Sequence, residues 1–286
     1  MKWIKLYFRL VLRYLQYFLS ARTRYDVHAP FAYELAEHVL EDNRRFYAFQ
    51  DIELLRRGLL KNQDSVQIQD HGAGSLVSSG SVRQVRSLAR YSAISPGSGA
   101  LLFRLVQFMK PQKMLELGTS LGLSAAYQSM AARNAEMISI EGCPQTAALA
   151  RQNLAKLDVR NVTLLVGIFE QQLPQALQQL ESLDYLFIDG DHRKGASLAY
   201  FETCLPYLNE HSVVVLADIH WSDGMESAWQ ILQKHERVRL SVDLFHFGLL
   251  FFRPEIKVKS SLPLIKAKYK PWRMGFFPLS DQAHTA

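Results

Sequence analysis

Between residues 113 and 236 the chain alternates short apolar runs with helical patterns, and this limits the fold more than any other feature. The runs are KMLEL (113–117), MISIE (137–141), VTLLV (162–166), YLFID (185–189) and VVVLAD (213–218). Helical periodicity fills about 121–133, 144–157, 170–180, 195–208 and 223–236. Runs this short and this apolar suit strands covered on both faces, and helical crossovers between them make neighbouring strands parallel. VRLSVDLF (238–245) and FGLLFFR (247–253) follow almost without a link, so they pair as an antiparallel hairpin. The expectation is an α/β fold: a doubly wound, mostly parallel, seven-stranded sheet closed by that β-hairpin. Residues 1–65 read as mostly helical, with breaks near 28–31 and 61–65, and helical patterns continue over about 82–91 and 98–109. The domains expected are a helical N-terminal extension or cap (1–94), the α/β domain (95–253) and a basic, aromatic tail (254–286).

Charge separates these parts. The net charge is +6, yet residues 1–25 alone carry +6 and residues 253–286 carry +5, leaving −5 on the body between them. An acidic body argues against a broad nucleic-acid-binding face. Two cysteines, Cys143 and Cys204, without CxxC spacing give neither a disulfide framework nor a zinc site, and a reducing, cytoplasmic setting is expected.

In MKWIKLYFRLVLRYLQYFLS the polar positions Lys2, Lys5, Arg9, Arg13, Gln16 and Ser20 form one narrow helical stripe in an otherwise apolar surface. Interleaved cations argue against a membrane span, and no signal-peptide cleavage site follows. Two readings stand: a helix packed on its own domain or on a homodimer partner, and a helix lying in an anionic membrane surface at the inner face of a membrane. Trp272, Phe276 and Phe277 among Lys266, Lys268, Lys270 and Arg273 favour the second.

Two glycine turns could bring backbone N–H groups to a ligand, QIQDHGAGS (67–75) and MLELGTSLGLS (114–124). A nucleotide-type cofactor also needs an acid about 20 residues on, at the end of the next strand, to hold ribose hydroxyls. Glu141 stands 23 residues after Gly118, ending MISIE, whereas no strand follows Gly72 at that distance. The second turn is therefore the cofactor candidate, and the 70–81 segment is expected to be a turn or lid.

With ELGTSLGLS, SIEG and FIDGDH in order on successive strands, residues 95–253 resemble the class I S-adenosylmethionine-dependent methyltransferases. The resemblance is nearest to the O-methyltransferase branch that includes catechol and caffeoyl-CoA methyltransferases. More loosely, residues 1–90 resemble an extension of uncharacterised bacterial members, with Tyr25, His28, Pro30 and Phe31. The resemblance implies a Rossmann-like fold, S-adenosylmethionine as cofactor and methyl transfer to a hydroxyl of a small or lipid-like acceptor. It also implies a set of site residues. Glu116, Gly118 and Ser124, with Thr119 and Ser120 in the same turn, would surround the methionine part. Glu141, with Gly142 beside it, would hold the ribose. Gly167, Ile168 and Phe169 would line the adenine, and Asp189 would face the ammonium and sulfonium charges. The alternative reading is a non-catalytic cofactor-binding module docked on a membrane or partner protein.

Catechol-type enzymes hold magnesium with the acid ending strand four and an Asp-Asn pair ending strand five. Here strand five ends in Asp218 and Ile219, and isoleucine offers no oxygen. Asp189 and Asp218 remain as ligands for a divalent metal, with Asp191, His192 or His220 as substitutes that would suit a softer ion. Without a metal, a neutral histidine suits the base, and His192 and His220 both follow strand-ending acids, Asp218 among them. Asp191 is expected to cap the following helix.

Overall fold

The computed structural model describes residues 2–69 and 82–273, with side chains from residue 7 onward. The 70–81 segment, Phe276 and Phe277 lie outside the described residues. The elements, in order, are α1 (Lys2–Ser20), α2 (Pro30–Leu35), α3 (Tyr47–Lys61), β1 (Ser65–Gln67), β2 (Val82–Gln84), α4 (Val85–Tyr91) and α5 (Pro96–Met109). The alternating region follows as β3 (Lys113–Leu117), α6 (Leu123–Ala131), β4 (Glu136–Glu141), α7 (Pro144–Lys156), β5 (Val162–Val166), α8 (Phe169–Leu180), β6 (Leu183–Ile188), α9 (Lys194–Cys204), β7 (Leu208–Ala217) and α10 (Asp223–Lys234). Then come β8 (Leu240–Asp243), β9 (Phe247–Phe251) and β10 (Ser260–Pro263).

One eight-stranded sheet runs β10-β8-β9-β7-β6-β3-β4-β5. β9 pairs antiparallel with both β7 and β8, while the other pairings are parallel. The expected doubly wound sheet and closing hairpin are therefore present, with one correction. The sheet has eight strands, not seven, because Ser260–Pro263 of the assumed tail adds itself beside β8. SSLP has too little apolar length to be read as a strand, and only the open edge of β8 makes it one. Two smaller corrections share that origin. Val82–Gln84 pairs with β1 instead of opening a helix, and β7 starts at Leu208, where the sequence reads as helix.

Strand residues alternate between two cores. Met114, Tyr185, Phe187, Val213 and Val215 meet one face, together with apolar side chains from residues 27–106. Leu115, Leu186, Ile188, Val214 and Leu216 meet the other, under α8, α9 and α10. With both faces covered, the strands need no polar alternation, which is why their sequence reads as continuous apolar runs.

α1 departs from the expected packing. Its arginine stripe faces the body: Arg9 and Arg13 pair with Asp223, and Arg13 also pairs with Glu226 at 2.6 Å. The Tyr17 hydroxyl donates to the Leu264 carbonyl, and Lys270 Nζ donates to the carbonyls of Ala21 (2.6 Å) and Leu19 (3.3 Å). Much of the apolar surface points outward, including Phe8, Val11, Leu12, Leu15 and Leu19. Among the described residues no helix is long and apolar enough to cross a membrane.

Candidate functional site

A cavity of about 580 Å³ opens at the carboxyl ends of β3, β4, β6 and β7, where ligands of open α/β sheets bind. Its floor is the turn after β3. Gly118 sits at φ +101°, and a Cβ there would lie 2.2 Å from the Asp189 carbonyl oxygen. Only glycine lets the ends of β3 and β6 approach this closely. Glu141 closes the next side: its carboxylate accepts from the Ser120 N–H at 2.8 Å and from the Cys143 N–H at 3.0 Å. Those two bonds orient the carboxylate at the rim of the cavity.

Gly118, Thr119, Ser120 and Ser124 line the cavity on one side, Glu141 and Gly142 on the next. Ile168 and Phe169 form a third wall, just after Gly167. The Phe169 ring packs edge-on against Tyr200 at 5.5 Å and lies so close to Gly190 that a Cβ there would fall 2.6 Å from it. Gly190 therefore serves the aromatic wall, a role that the sequence did not suggest.

Glu116 is a correction. It is fully buried and does not line the cavity. Its position on β3 points it between α6 and β4, where it accepts from Gln128 Nε2 of α6 at 2.8 Å and from the Ser139 hydroxyl of β4 at 2.5 Å. The Ser139 hydroxyl in turn meets the Thr119 hydroxyl at 2.5 Å. Burial pushes the Glu116 carboxyl up to about 7, against the hydrogen bonds that favour its charge. It supports the turn from below, through Ser139 and Thr119.

The opposite wall carries the charged groups. Burial, and the neighbouring carboxylates of Asp218 and Glu116, hold the Asp189 carboxyl well above the usual carboxylate range. His192 Nε2 stands 3.9 Å from Asp189 Oδ1 and 3.9 Å from Asp218 Oδ2. Among the described residues these three form the one group with metal-ligand spacing, all their ligand atoms within 4.8 Å of one another. Ile219, by contrast, is fully buried in the core beneath α9 and α10. The position that would carry the family's Asn turns away from the cleft.

His220 lines the cavity as expected, but its imidazole is engaged by other groups, and Asp191 is placed differently from expectation. His220 Nε2 lies 2.9 Å from Asp243 Oδ2, and Nδ1 lies 3.6 Å from Glu226. Its ring stacks on Phe245 at 5.2 Å. Two carboxylates and a stacking partner fix this imidazole in the wall, leaving His192 as the histidine between Asp189 and Asp218. Asp191 does not cap α9: Arg193 occupies the cap position without a side-chain bond. The Arg193 guanidinium grips the Asp191 carboxylate, and the Tyr200 hydroxyl donates to it at 3.2 Å. An adjacent arginine outcompetes backbone N–H groups for a carboxylate.

The sequence does not single out the individual residues of the rest of the wall. Leu10, Ile68, Leu88, Tyr91, Ile94, Trp221 and Phe245 also line the cavity, and several come from the N-terminal extension. Apolar residues without a code give no signal until the fold brings them together.

Comparison with known proteins agrees with this geometry. Residues 115–219 match the Methyltransf_24 family, described as a methyltransferase domain. Over 135 residues the chain is 30% identical to a catechol O-methyltransferase of Niastella koreensis, covering 46% of this chain and 60% of that protein. Over 176 residues it is 36% identical to the human transmembrane O-methyltransferase, covering 58% of this chain and 57% of that one. The chain thus spans about three-fifths of the length of these curated relatives. Among solved structures, the SAH-bound methyltransferase PaMTH1 of Podospora anserina superposes with a TM-score of 0.54 at 18% identity, covering 79% of this chain and 99% of that one. The SAM complex of the O-methyltransferase TomG from Streptomyces achromogenes gives 0.53 at 18% identity, covering 73% and 91%. At that identity the two structures speak for the fold. Residues 115–219 thus match a methyltransferase domain, and the sheet that contains them has the fold of these methyltransferase structures.

Proposed function

We propose that this protein transfers a methyl group from S-adenosylmethionine to a hydroxyl of a small or lipid-like acceptor. The observation that carries the reading is the convergence of the Gly118 turn, the Glu141 carboxylate and Asp189 on one cavity. Glu141 accepts from the ribose hydroxyls, the Gly118–Ser120 backbone borders the methionine part, and Ile168 with Phe169 encloses the adenine. Asp189 opposes the cofactor's positive charges in a partly desolvated site. When bound, the cofactor supplies an electrophilic methyl on a cationic sulfonium.

The chain must place the acceptor oxygen in line and remove its proton. With no ion bound there, His192 is the base, its Nε2 taking the hydroxyl proton while Asp189 and Asp218 stabilise the imidazolium. Asp189, Asp218 and His192 also fit a divalent ion in ligand type, number and partial exposure. Such an ion would polarise the acceptor hydroxyl. The two roles exclude each other at one atom, because a ligating Nε2 cannot take a proton. His192 therefore serves as base or as ligand.

The test is calorimetric titration of S-adenosylmethionine and S-adenosylhomocysteine, with EDTA and then with Mg²⁺ or Mn²⁺. Replacing Glu141 with Ala removes charged hydrogen bonds to two hydroxyls and is expected to weaken binding by about 2–4 kcal/mol, roughly 100-fold. Catechol, the acceptor in the name of the Niastella relative, serves as the first acceptor probe. His192→Gln is expected to keep cofactor binding and lose turnover. No binding by the native protein under any metal condition overturns the reading.

A further inference from the structure

α1 has two faces with different neighbours, and one of them is a wall of the site. On the inner face Leu10 lines the cavity. Arg13 donates to the His220 carbonyl at 3.0 Å, and the Tyr14 and Tyr17 rings pack on Phe245 at 5.0 and 5.4 Å. The outer face carries Phe8 (63% exposed), Val11, Leu12, Leu15 and Leu19 (74% exposed). The arginines that would keep an amphipathic helix wet are turned inward onto Asp223 and Glu226. Such an arrangement leaves a continuous apolar stripe in water, which a monomer in solution does not favour.

The surroundings indicate what covers it. Trp272 continues the stripe, packing against Phe18 at 6.3 Å while remaining about half exposed, and Tyr269 beside it is similarly exposed. Residues 1–25 carry six cations and no acid, and residues 264–273 add Lys266, Lys268, Lys270 and Arg273, again with no acid. Arg9, Arg13, Arg24 and Arg273 pair within the chain and Lys270 is buried, but Arg22 and Lys268 stay exposed, and two copies meeting through α1 would bring these and Lys2 and Lys5 of each chain together. Anionic headgroups neutralise those remaining cations, while the aromatic and aliphatic side chains enter the acyl boundary.

We propose that α1 seats this protein on an anionic lipid surface by its outward apolar stripe, so that the cavity behind its inner face takes a hydroxyl-bearing amphiphile from that surface. The second clause rests on the methyltransferase reading; the first does not. Membrane contact and the acceptor wall are then the two sides of one helix. A helix held on lipid keeps Leu10 and Phe245 at the cavity mouth, next to the layer in which an amphiphile is concentrated.

The test uses the full chain with vesicles of phosphatidylcholine alone and of phosphatidylcholine mixed with phosphatidylglycerol. Flotation with the mixed vesicles, weakened by salt, is expected. The double variant Leu12→Glu/Leu15→Glu changes exposed positions only. It is expected to lower vesicle affinity at least about tenfold, with unfolding temperature and S-adenosylhomocysteine binding unchanged. Equal flotation of native and variant protein overturns the seating. So does a native dimer that the variant converts to monomer without any lipid binding, which would assign the stripe to a second copy. For the acceptor, a long-chain alkylcatechol held in mixed vesicles is compared with catechol in solution. Selective loss of the first activity in the double variant supports the proposal, and equal rates on both overturn the acceptor clause. Methylation of neither probe also overturns that clause, while cofactor binding and flotation report separately on the enzyme reading and on the seating.

Discussion

At the scale of single residues the informative group is Glu116, a carboxyl with no solvent that holds up the turn its neighbours use. Its folded-state value of about 7 lies above the ordinary 4.5. The folded protein therefore binds a proton more tightly than the unfolded chain does. The stability this adds is fully present below pH 4.5 and is lost as pH rises through about 7, in total roughly 3 kcal/mol. Glu116→Gln, which keeps the shape and removes the charge, is expected to flatten the decline in unfolding free energy between pH 4.5 and 7. A denaturant series across that range measures it. The glycines act differently: Gly118 and Gly190 are present because another chain segment or ring occupies the space of a side chain.

At the scale of elements, the end of α1 is held by a strap that the sequence disguises as a tail. β10 adds to β8, Ile265 N–H donates to the Arg22 carbonyl at 2.9 Å, and Lys270, nearly fully buried, reaches the last carbonyls of the helix. A cation at a helix C-terminus satisfies orphan carbonyls and opposes the negative end of the dipole. Lys270→Met keeps the stem and removes the charge. It is expected to cost about 1–3 kcal/mol and to speed amide hydrogen exchange in residues 17–22, with exchange in β3 and β6 unchanged. Exchange that rises evenly over the whole molecule would show instead that the strap supports the entire fold.

At the scale of the whole molecule, the cavity proposed for the cofactor is made by segments far apart in sequence, including the ends of β3, β4 and β6. A ligand that bridges those ends binds the folded state alone. Saturation with S-adenosylhomocysteine, at about 100 times its dissociation constant, is expected to add ~2.7 kcal/mol of stability. A rise of several degrees in unfolding temperature, absent in Glu141→Ala, checks this.

What the sequence determined by itself is the sheet and the Gly118–Glu141 side of the cavity. Buried parallel strands need unbroken apolar runs, a tight turn needs glycine, and the expected ribose acceptor is an acid at a fixed interval, so Gly118 and Glu141 can be read in order along the chain, while Asp189 is singled out only by the family resemblance. These requirements are local, and local requirements leave local patterns. What only the tertiary structure decided depends on which partner is nearest in space. Glu116 has the same motif context as Gly118 yet points between α6 and β4, since side chains alternate across a strand. His220 and His192 both follow strand-ending acids, but Asp243 engages one and leaves the other between Asp189 and Asp218. Asp191 went to Arg193 and not to a helix end, and the arginine stripe of α1 turned inward because Asp223 and Glu226 lie beneath it. A charge has no periodic signature that names its partner, and residues distant in sequence meet only when the sheet brings them together.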